Sequence, residues 1–575
     1  MVQKFDPITL EILWRRIISI VDQADASVAR TAFSSLLRDA HDYTCTFTDR
    51  KGRLLAQGTF CTPGQAGAMT LGVKRWINML REESYKPGDV FITNDPWLLA
   101  GHLNDVCVMS PIFYQDKLAG FTACVFHHSD VGGRVSSDNR DVFEDGLFIP
   151  PVKLYDGGIL NESVMNMIRW NVRTPEEVAG DIRSQVAANY VCSQKVVEMM
   201  AGVGLDSLDD LADQIMDVTE KSMRDAITQI PDGVYSYEGI VEGPGGRADI
   251  GIKVVVEVKG SDITVDLDGS SPEVDWGGNV VYNFTYAYVF MAIKSAFNPD
   301  IPNNEGCNRP IIVKAPEGTV VNCSFPTAVA ARLQVGHFMT EMVYKALATA
   351  APDRIIASSG GTPAWMQVFY GKRHDGNKFY SVLIRGGGMG ANYRQDGHSC
   401  VIFPANGANT PAEIFESDSP LIMEKRELLP DSGGPGKMRG GLGRVVIFRV
   451  PDGQYAPSTP TAIGIQGGRF RYPADGLFHA KPGTKSKFLI NDEPKDPGTL
   501  NFANPGDVVT FYNPGGGGYG DPLERDPKTV EGDVIDGYVS LEKAKDEYGV
   551  VIDPESIKLD LEATQRWRDA MRRAK

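Results

Sequence analysis

The sequence predicts an α+β, multi-domain protein. An N-terminal domain of helices and a β-hairpin carries a candidate metal site, a glycine-rich, β-rich domain follows, and a short helical C-terminal tail closes the chain. Three observations predict this. At 575 residues the chain is too long for one ordinary core. Helical and strand-like periodicities alternate up to about residue 235, after which strand-like runs dominate. Glycine then clusters at 386–388, 433–443 and 515–520. The expected divisions are 1–235, 236–525 and 526–575.

Composition narrows the class. With 42% hydrophobic and 23% charged residues, the chain reads as globular rather than disordered. A net charge of −16, with no stripe of Lys and Arg, argues against a nucleic-acid partner. Charges interrupt the apolar positions of the N-terminus, no small-residue cleavage site follows, and no apolar run reaches the length of a membrane span. The expected location is the cytoplasm. The eight cysteines (45, 61, 107, 124, 192, 307, 323 and 400) form no CxxC pair, so reduced, mostly buried thiols are expected rather than a thiolate zinc site.

The elements follow in order. Asp6 is placed to cap a helix with Pro7 at its first position, and Ile8, Ile12, Ile17, Ile20, Val21 and Ala24 recur near helical period, predicting a helix over 6–38. Residues 42–47 alternate like a strand, and 49–52 turn the chain into 53–57. A helix is expected over 67–84. The apolar runs 106–114 and 120–126, joined by the polar segment 115–119, read as a β-hairpin. Residues 161–230 return to helix, patterned best over 176–200 and 208–227. After Pro231 come strands at 252–258 and 263–267, a helix at 282–297 and a Pro/Asn-rich loop at 298–310. Helices over 541–548 and 559–574 form the tail.

The densest chemistry lies in residues 101–133. Of eight histidines, three (His102, His127 and His128) fall here, with Asp105 and Asp130. A hairpin turn centred on Asp116 and Lys117 pairs Asp105 with His128 and Val106 with His127, so the start of one strand meets the end of the other. His102, Asp105 and one of the paired histidines then converge, as metal ligands must. Strand parity favours His128, and a one-residue slip would favour His127. Mixed imidazole and carboxylate donors suit zinc or manganese, with iron as the third choice. Asp42 is the candidate fourth ligand and Asp39 its competitor. Asp130 reads as a fixer of histidine tautomer or as a base. The plainer alternative is a set of surface or interface histidines near a glycine-rich loop.

Other motifs carry less. The 433–444 run contains Lys437, but Met438 stands where a phosphate loop needs Ser or Thr, and more glycine follows instead of a helix. The 386–390 run lacks GxGxxG spacing. Tight β turns packed against other backbone are therefore expected, not nucleotide binding. No GxSxG elbow or HExxH is present. Cys45, near Asp42, reads as a buried structural thiol. Residues 300–309 and His337 either line a pocket or are an ordinary loop and a satisfied histidine.

Taken together, these strings resemble the hydantoinase B/5-oxoprolinase family, which includes β subunits of ATP-dependent hydantoinases and caprolactamase and related subunits of acetone and acetophenone carboxylases. The resemblance runs nearly end to end. It covers 42–47 with 49–53, Thr93, Asn94, Asp95 and Pro96 with Gly101 and His102, and 127–133, then 300–306, 431–443, 513–525 and 548–550. It departs at Pro63, Gly64, Gln65, Ala66 and Gly67, where many members have Pro-Val-His-Leu-Gly; the lost histidine bears on substrate or reaction.

The resemblance implies the metal-containing β subunit of an ATP-dependent cyclic-amide hydrolase, acting on a lactam, hydantoin or 5-oxoproline. A separate hydantoinase A-type, actin/hexokinase-like subunit would bind ATP and phosphorylate the ring carbonyl oxygen, in an α2β2 hetero-oligomer. One divalent ion would be held at His102, Asp105 and one of His127 and His128, with Asp42, and would activate water. Asp130 or the uncoordinated histidine would shuttle protons. The alternatives are a subunit of an ATP-dependent ketone carboxylase, in which the ion would steady an enolate, and a non-catalytic scaffold subunit.

Overall fold

Asp6 caps the first helix as its position suggests, its carboxylate accepting from the backbone N–H of Ile8 and Thr9. This helix, α1 (Pro7–Thr31), buries Leu13, Trp14, Ile17, Ile20, Val21, Ala24 and Val28. It stops short of residue 38 because the Asp181 carboxylate takes the backbone N–H groups of Phe33 and Ser34. A short second helix, α2 (Ser35–Arg38), follows. The structure, a computed structural model, describes residues 4–80, 85–134 and 137–574.

An antiparallel seven-stranded sheet forms the first layer, in the order β2-β1-β5-β4-β3-β6-β7. Its strands are β1 (Tyr43–Asp49), β2 (Leu54–Gln57), β3 (Val90–Thr93), β4 (Asp105–Tyr114), β5 (Lys117–His127), β6 (Val152–Asp156) and β7 (Ile159–Leu160). Helix α3 (Pro63–Met79) covers one face, packing Ala68, Met69, Val73 and Trp76 with Cys107, Met109, Phe121 and Val125. The predicted end of that helix at 84 lies outside the described residues. After α4 (Val142–Asp145) and α5 (Glu162–Asn171), helix α6 (Pro175–Val203) covers the other face. Gln185 donates to the carbonyls of Val106 and Cys124, and Asn189 to that of Val108. Burial on both faces is why β4 and β5 read as continuous apolar runs rather than alternating ones.

Helix α7 (Asp209–Ile227) leads to a second sheet, β11-β10-β9-β8, built from β8 (Gly233–Val241), β9 (Ile250–Lys259), β10 (Asp262–Asp266) and β11 (Ile311–Lys314). Helices α8 (Tyr282–Phe297), α9 (Glu305–Asn308), α10 (Leu333–Gly336) and α11 (Phe338–Leu347) accompany it. Helix α8 lies against α3 at Gly67, where a Cβ would fall 2.6 Å from that of Ala287. This close approach fixes the start of α3 beside the candidate site.

The glycine-rich part forms two more sheets that share one core. Its elements are β12 (Trp365–Lys372), β13 (Lys378–Arg385), α12 (Ala412–Asp418), β14 (Ile422–Leu428), β15 (Arg444–Arg449), β16 (Thr461–Gln466), β17 (Lys487–Ile490), β18 (Glu493–Pro494), β19 (Asn501–Ala503) and β20 (Val508–Asn513). The orders are β13-β12-β16-β19 and β14-β15-β20-β17-β18, with Trp365, Phe369, Leu383, Val446, Phe448, Phe488 and Phe511 in the common core. The glycine runs pack backbone to backbone: Gly516 N–H donates to Gly441 O, and Gly388 N–H to Pro514 O, both at 2.9 Å. A Cβ on Gly388 would lie 1.8 Å from Gly441 O, which is the reason for glycine there. The tail is helical, α13 (Pro527–Ile535), α14 (Leu541–Tyr548) and α15 (Leu561–Ala574), and Arg525 ties it down through Asp396 and Asp533.

All eight cysteines are free and seven are buried. Among the described residues no helix is long and apolar enough to cross a membrane.

One buried acid predicts a pH effect on stability. Burial pushes the Asp25 carboxyl up to about 7; a hydrogen bond from Cys45 opposes this and the charge of Asp22 adds to it. The other titratable groups against it are Tyr43 and Cys61. Because the folded value exceeds the unfolded one of about 3.9, the stabilisation it gives is complete at low pH and is lost as pH rises through about 7. Between about pH 5 and pH 7, the melting temperature of Asp25→Asn should therefore fall less than that of the wild type in calorimetry. Parallel slopes would refute this.

Candidate metal centre

The hairpin register differs by one residue from the predicted one. Asp105 pairs with His127, and Val106 with Phe126. The turn is Gln115 and Asp116, both at positive φ (49° and 59°), joining Tyr114 to Lys117. This moves the turn back by one position, and a bulge after Ile112, opposite Leu118–Gly120, returns part of the offset. A one-residue change exchanges the faces of a strand. His127 therefore joins the cluster, and the parity argument for His128 is corrected.

His102, Asp105 and His127 offer donor atoms that all lie within 4.8 Å of one another. His102 Nε2 is 3.2 Å from Asp105 Oδ1, and His127 Nδ1 is 3.8 Å from the same oxygen. Asp42 Oδ2 lies 3.5 Å from His127 Nδ1. Donors about 2.1 Å from a shared ion sit roughly 3–3.5 Å apart; the His102–Asp105 and His127–Asp42 spacings match this, while His127–Asp105 is a few tenths of an ångström wider. The chain places Asp42 here because His127 N–H donates to Asp42 O as β1 pairs with β5. His102 sits in the turn before β4, and Asn94 steadies that turn by donating to the carbonyl of Leu103 while accepting from Ile149 N–H.

The electrostatics suit a cation. His102, Asp105 and His127 are at most 4% exposed. Neither ring nitrogen of His102 makes a hydrogen bond of good geometry, although the ring is buried. Burial pushes both His102 and His127 down, towards the neutral imidazole whose lone pair a metal takes. Burial would raise Asp105, but His102 and Arg332 outweigh it and hold the carboxyl well below the usual range. Asp42 is pushed up to about 7 by burial and then by the charge of Asp105, against the pull of Arg332 and Thr62.

Two residues that sequence reasoning did not assign complete the cluster. Arg332 reaches Asp105 Oδ2 at 2.5 Å, donates to Ala100 O at 3.1 Å and lies over the Phe284 ring at 4.3 Å. It grips one carboxylate oxygen and leaves Oδ1 facing the histidines. Gly101 lets it pass, since a Cβ there would sit 3.0 Å from Arg332 Cδ. The signal was a lone arginine in the apolar run 328–335. Gln65 donates to Asp42 Oδ1 (3.3 Å) and Asp105 Oδ1 (3.2 Å), while its Oε1 is buried without a partner. The segment that departs from the family pattern thus places its glutamine between the two carboxylates.

Other expected site residues lie elsewhere. His128 turns to α6, its Nε2 3.1 Å from Gln185 Oε1. Asp130 accepts from Arg173 Nη1 (2.7 Å) and from Gly132 N–H (3.0 Å), with no bond to the cluster among the described residues. Asp39 pairs with Arg38. His337 Nδ1 accepts from Ala364 N–H while its Nε2 is buried without a partner, so the ring is only half satisfied. Asn303, Asn304 and Asn308 do line a cavity of about 200 Å³, closed by Cys61, Pro63 and Phe290. The first turn of α3 separates it from Asp42, and Thr62, between Cys61 and Pro63, donates to that carboxylate. Opposite outcomes are expected for the neighbouring histidines: His127→Ala should lose bound divalent ion in elemental analysis, and His128→Asn should keep it. Equal loss in both would contradict the register.

Comparison with known proteins places the whole chain. The family model described as hydantoinase B/oxoprolinase matches residues 6–522. A protein of Pseudomonas sp. (strain NS671), provisionally named as the B-type subunit of a D-/L-hydantoinase, is 32% identical, over 98% of each chain. The caprolactamase β subunit of Pseudomonas jessenii is 30% identical, over 98% of this chain and 99% of that one. The crystal structure of ATP-dependent caprolactamase from Pseudomonas jessenii superposes with a TM-score of 0.90 at 29% identity, covering 99% and 100%. Nucleotide-free acetone carboxylase superposes with a TM-score of 0.89 at 20% identity, covering 99% and 83%, a likeness of fold.

Proposed function

The chain belongs to the hydantoinase B/oxoprolinase family, and from that membership we propose that it is the metal-holding β-type subunit of an ATP-dependent cyclic-amide hydrolase, acting on a lactam, hydantoin or 5-oxoproline ring. The observation that carries the proposal is the buried cluster of His102, Asp105 and His127, with Asp42 beside it. The likeness to caprolactamase and to a hydantoinase component supports the substrate class.

In this reading the chain's own residues do three things. Burial pushes His102 and His127 towards the neutral form, with lone pairs available. Arg332 keeps Asp105 anionic and aims Oδ1 at the histidines. Gln65 bridges the two carboxylates, which otherwise repel. A divalent ion at the cluster, zinc or manganese with iron as the third choice, would supply Lewis acidity. His128 and Asp130, held by Gln185 and Arg173, stay outside this chemistry.

The partner in the proposal is a hydantoinase A-type, actin/hexokinase-like ATPase that phosphorylates the ring carbonyl oxygen, in a cytoplasmic α2β2 assembly. Water attacks a resonance-stabilised amide slowly, and phosphorylating its oxygen would make it a better electrophile. The glycine runs of this chain are spent on backbone packing, which fits ATP being bound by the partner. The second reading, a subunit of an ATP-dependent ketone carboxylase, draws on the shared fold with acetone carboxylase. Assembly with the ATPase subunit separates the two. Lactam- or hydantoin-dependent ATP turnover without bicarbonate is the expected result, and turnover that needs both a ketone and bicarbonate would overturn the hydrolase reading.

A further inference from the structure

We infer that the two C-terminal sheets enclose a binding site for a compact inorganic anion, held by the guanidinium groups of Arg385 and Arg444 and the side-chain amide of Asn513. Arg385 ends β13 and Arg444 begins β15; they are 2% and 3% exposed. Both are buried cations, yet neither makes an ion pair among the described residues. The groups facing Arg385 are Arg444 and Arg426, and those facing Arg444 are Cys400 and Arg426. Glu413, the nearby acid, faces Arg426.

Arg385 Nε donates to Gln367 Oε1 at 2.6 Å. Its Nη1 and Nη2, Arg444 Nε and Nη2, and Asn513 Nδ2 are all buried and bond nothing. Arg444 and Asn513 are register partners in the β15–β20 ladder, so their side chains leave the sheet on one face. Arg385 lies over Phe511 at 4.3 Å, two residues from Asn513 on the same strand face. The aromatic ring gives the guanidinium a flat seat but accepts none of its in-plane N–H groups.

Two like-charged guanidiniums in a buried core repel, and each unpaired donor is costly to bury. An anion among them resolves both, through charge-assisted hydrogen bonds. Each donor adjoins a glycine run: Arg385 precedes Gly386, Arg444 follows Gly443, and Asn513 precedes Pro514 and Gly515. The backbone of those runs is spent on itself, and the anion-binding capacity sits in the side chains at their ends. The donors lie inside a packed pair of sheets, so the ligand is chloride or a phosphate-like oxyanion rather than an organic substrate.

Two measurements on the full chain test this. Crystals soaked in bromide should show an anomalous peak within hydrogen-bonding distance of Arg385 and Arg444 if the site takes a halide, and phosphate soaks should show tetrahedral density there if it takes an oxyanion. At constant ionic strength, replacing gluconate by the preferred anion should raise the melting temperature by on the order of 2 °C or more, and Arg385→Met with Arg444→Met should abolish the rise. Neither peak nor density in the wild type, or an undiminished rise in the double variant, would overturn the site. If the double variant does not fold, the soaks decide.

Discussion

Replacing His102 with alanine is expected to remove stoichiometric divalent metal from the purified protein and to lower lactam- or hydantoin-dependent ATP turnover of the assembled enzyme by more than about 100-fold. Both ring nitrogens of His102 are buried without a hydrogen bond of good geometry, and the ion-pair neighbour of the ring is Asp105, itself in the cluster. The loss should be specific, because the ring packs beside His127 within the cluster. Elemental analysis checks the first part, and the circular dichroism melt checks that the fold survives. Wild-type metal content in the variant, or unchanged turnover, would sink the metal proposal and favour a scaffold role.

The second large effect concerns Arg332. Its guanidinium is the partner of Asp105, and both are buried. Removing one member of a buried ion pair typically costs about 3–5 kcal/mol, since the other is left uncompensated. Arg332→Met keeps the stem that packs on Phe284 and removes the charge. Chelator-treated variant protein should therefore be destabilised by about that amount in denaturant melts. Added zinc or manganese should recover part of the loss, because a cation at the cluster compensates the same carboxylate. A change of less than about 1 kcal/mol would mean that Asp105 is neutral or satisfied another way.

Local signals were legible. Helix α8 (Tyr282–Phe297) and helix α14 (Leu541–Tyr548) fall where periodicity predicted them, and the Asp6 cap with Pro7 marked the first residue of α1. His102 and Asp105 stand three residues apart, close enough for the turn alone to join them. The end of α1 was not legible, because Asp181, 148 residues from Phe33, takes the amide that would have continued the helix. Much of the sheet structure after residue 360 was also missed. Pairings such as β12 with β16 and β16 with β19 join distant strands, and the glycine runs between them carry no periodic pattern.

By itself, the sequence determined that this is an α+β chain with a concentration of histidine and carboxylate at one hairpin, with glycine runs unsuited to a nucleotide loop. These are properties of composition and short-range spacing, and no partner from elsewhere in the chain can alter them. Only the tertiary structure decided that His127 and not His128 meets Asp105. A two-residue turn at positive φ and a single bulge set that register, and each acts on backbone geometry that residue types specify weakly. It also decided that Arg332, 227 residues from Asp105, holds the carboxylate and that Gln65 stands between the acids. Charge compensation in a buried site is a matter of distance in space, and distance in space is what the order of residues does not state.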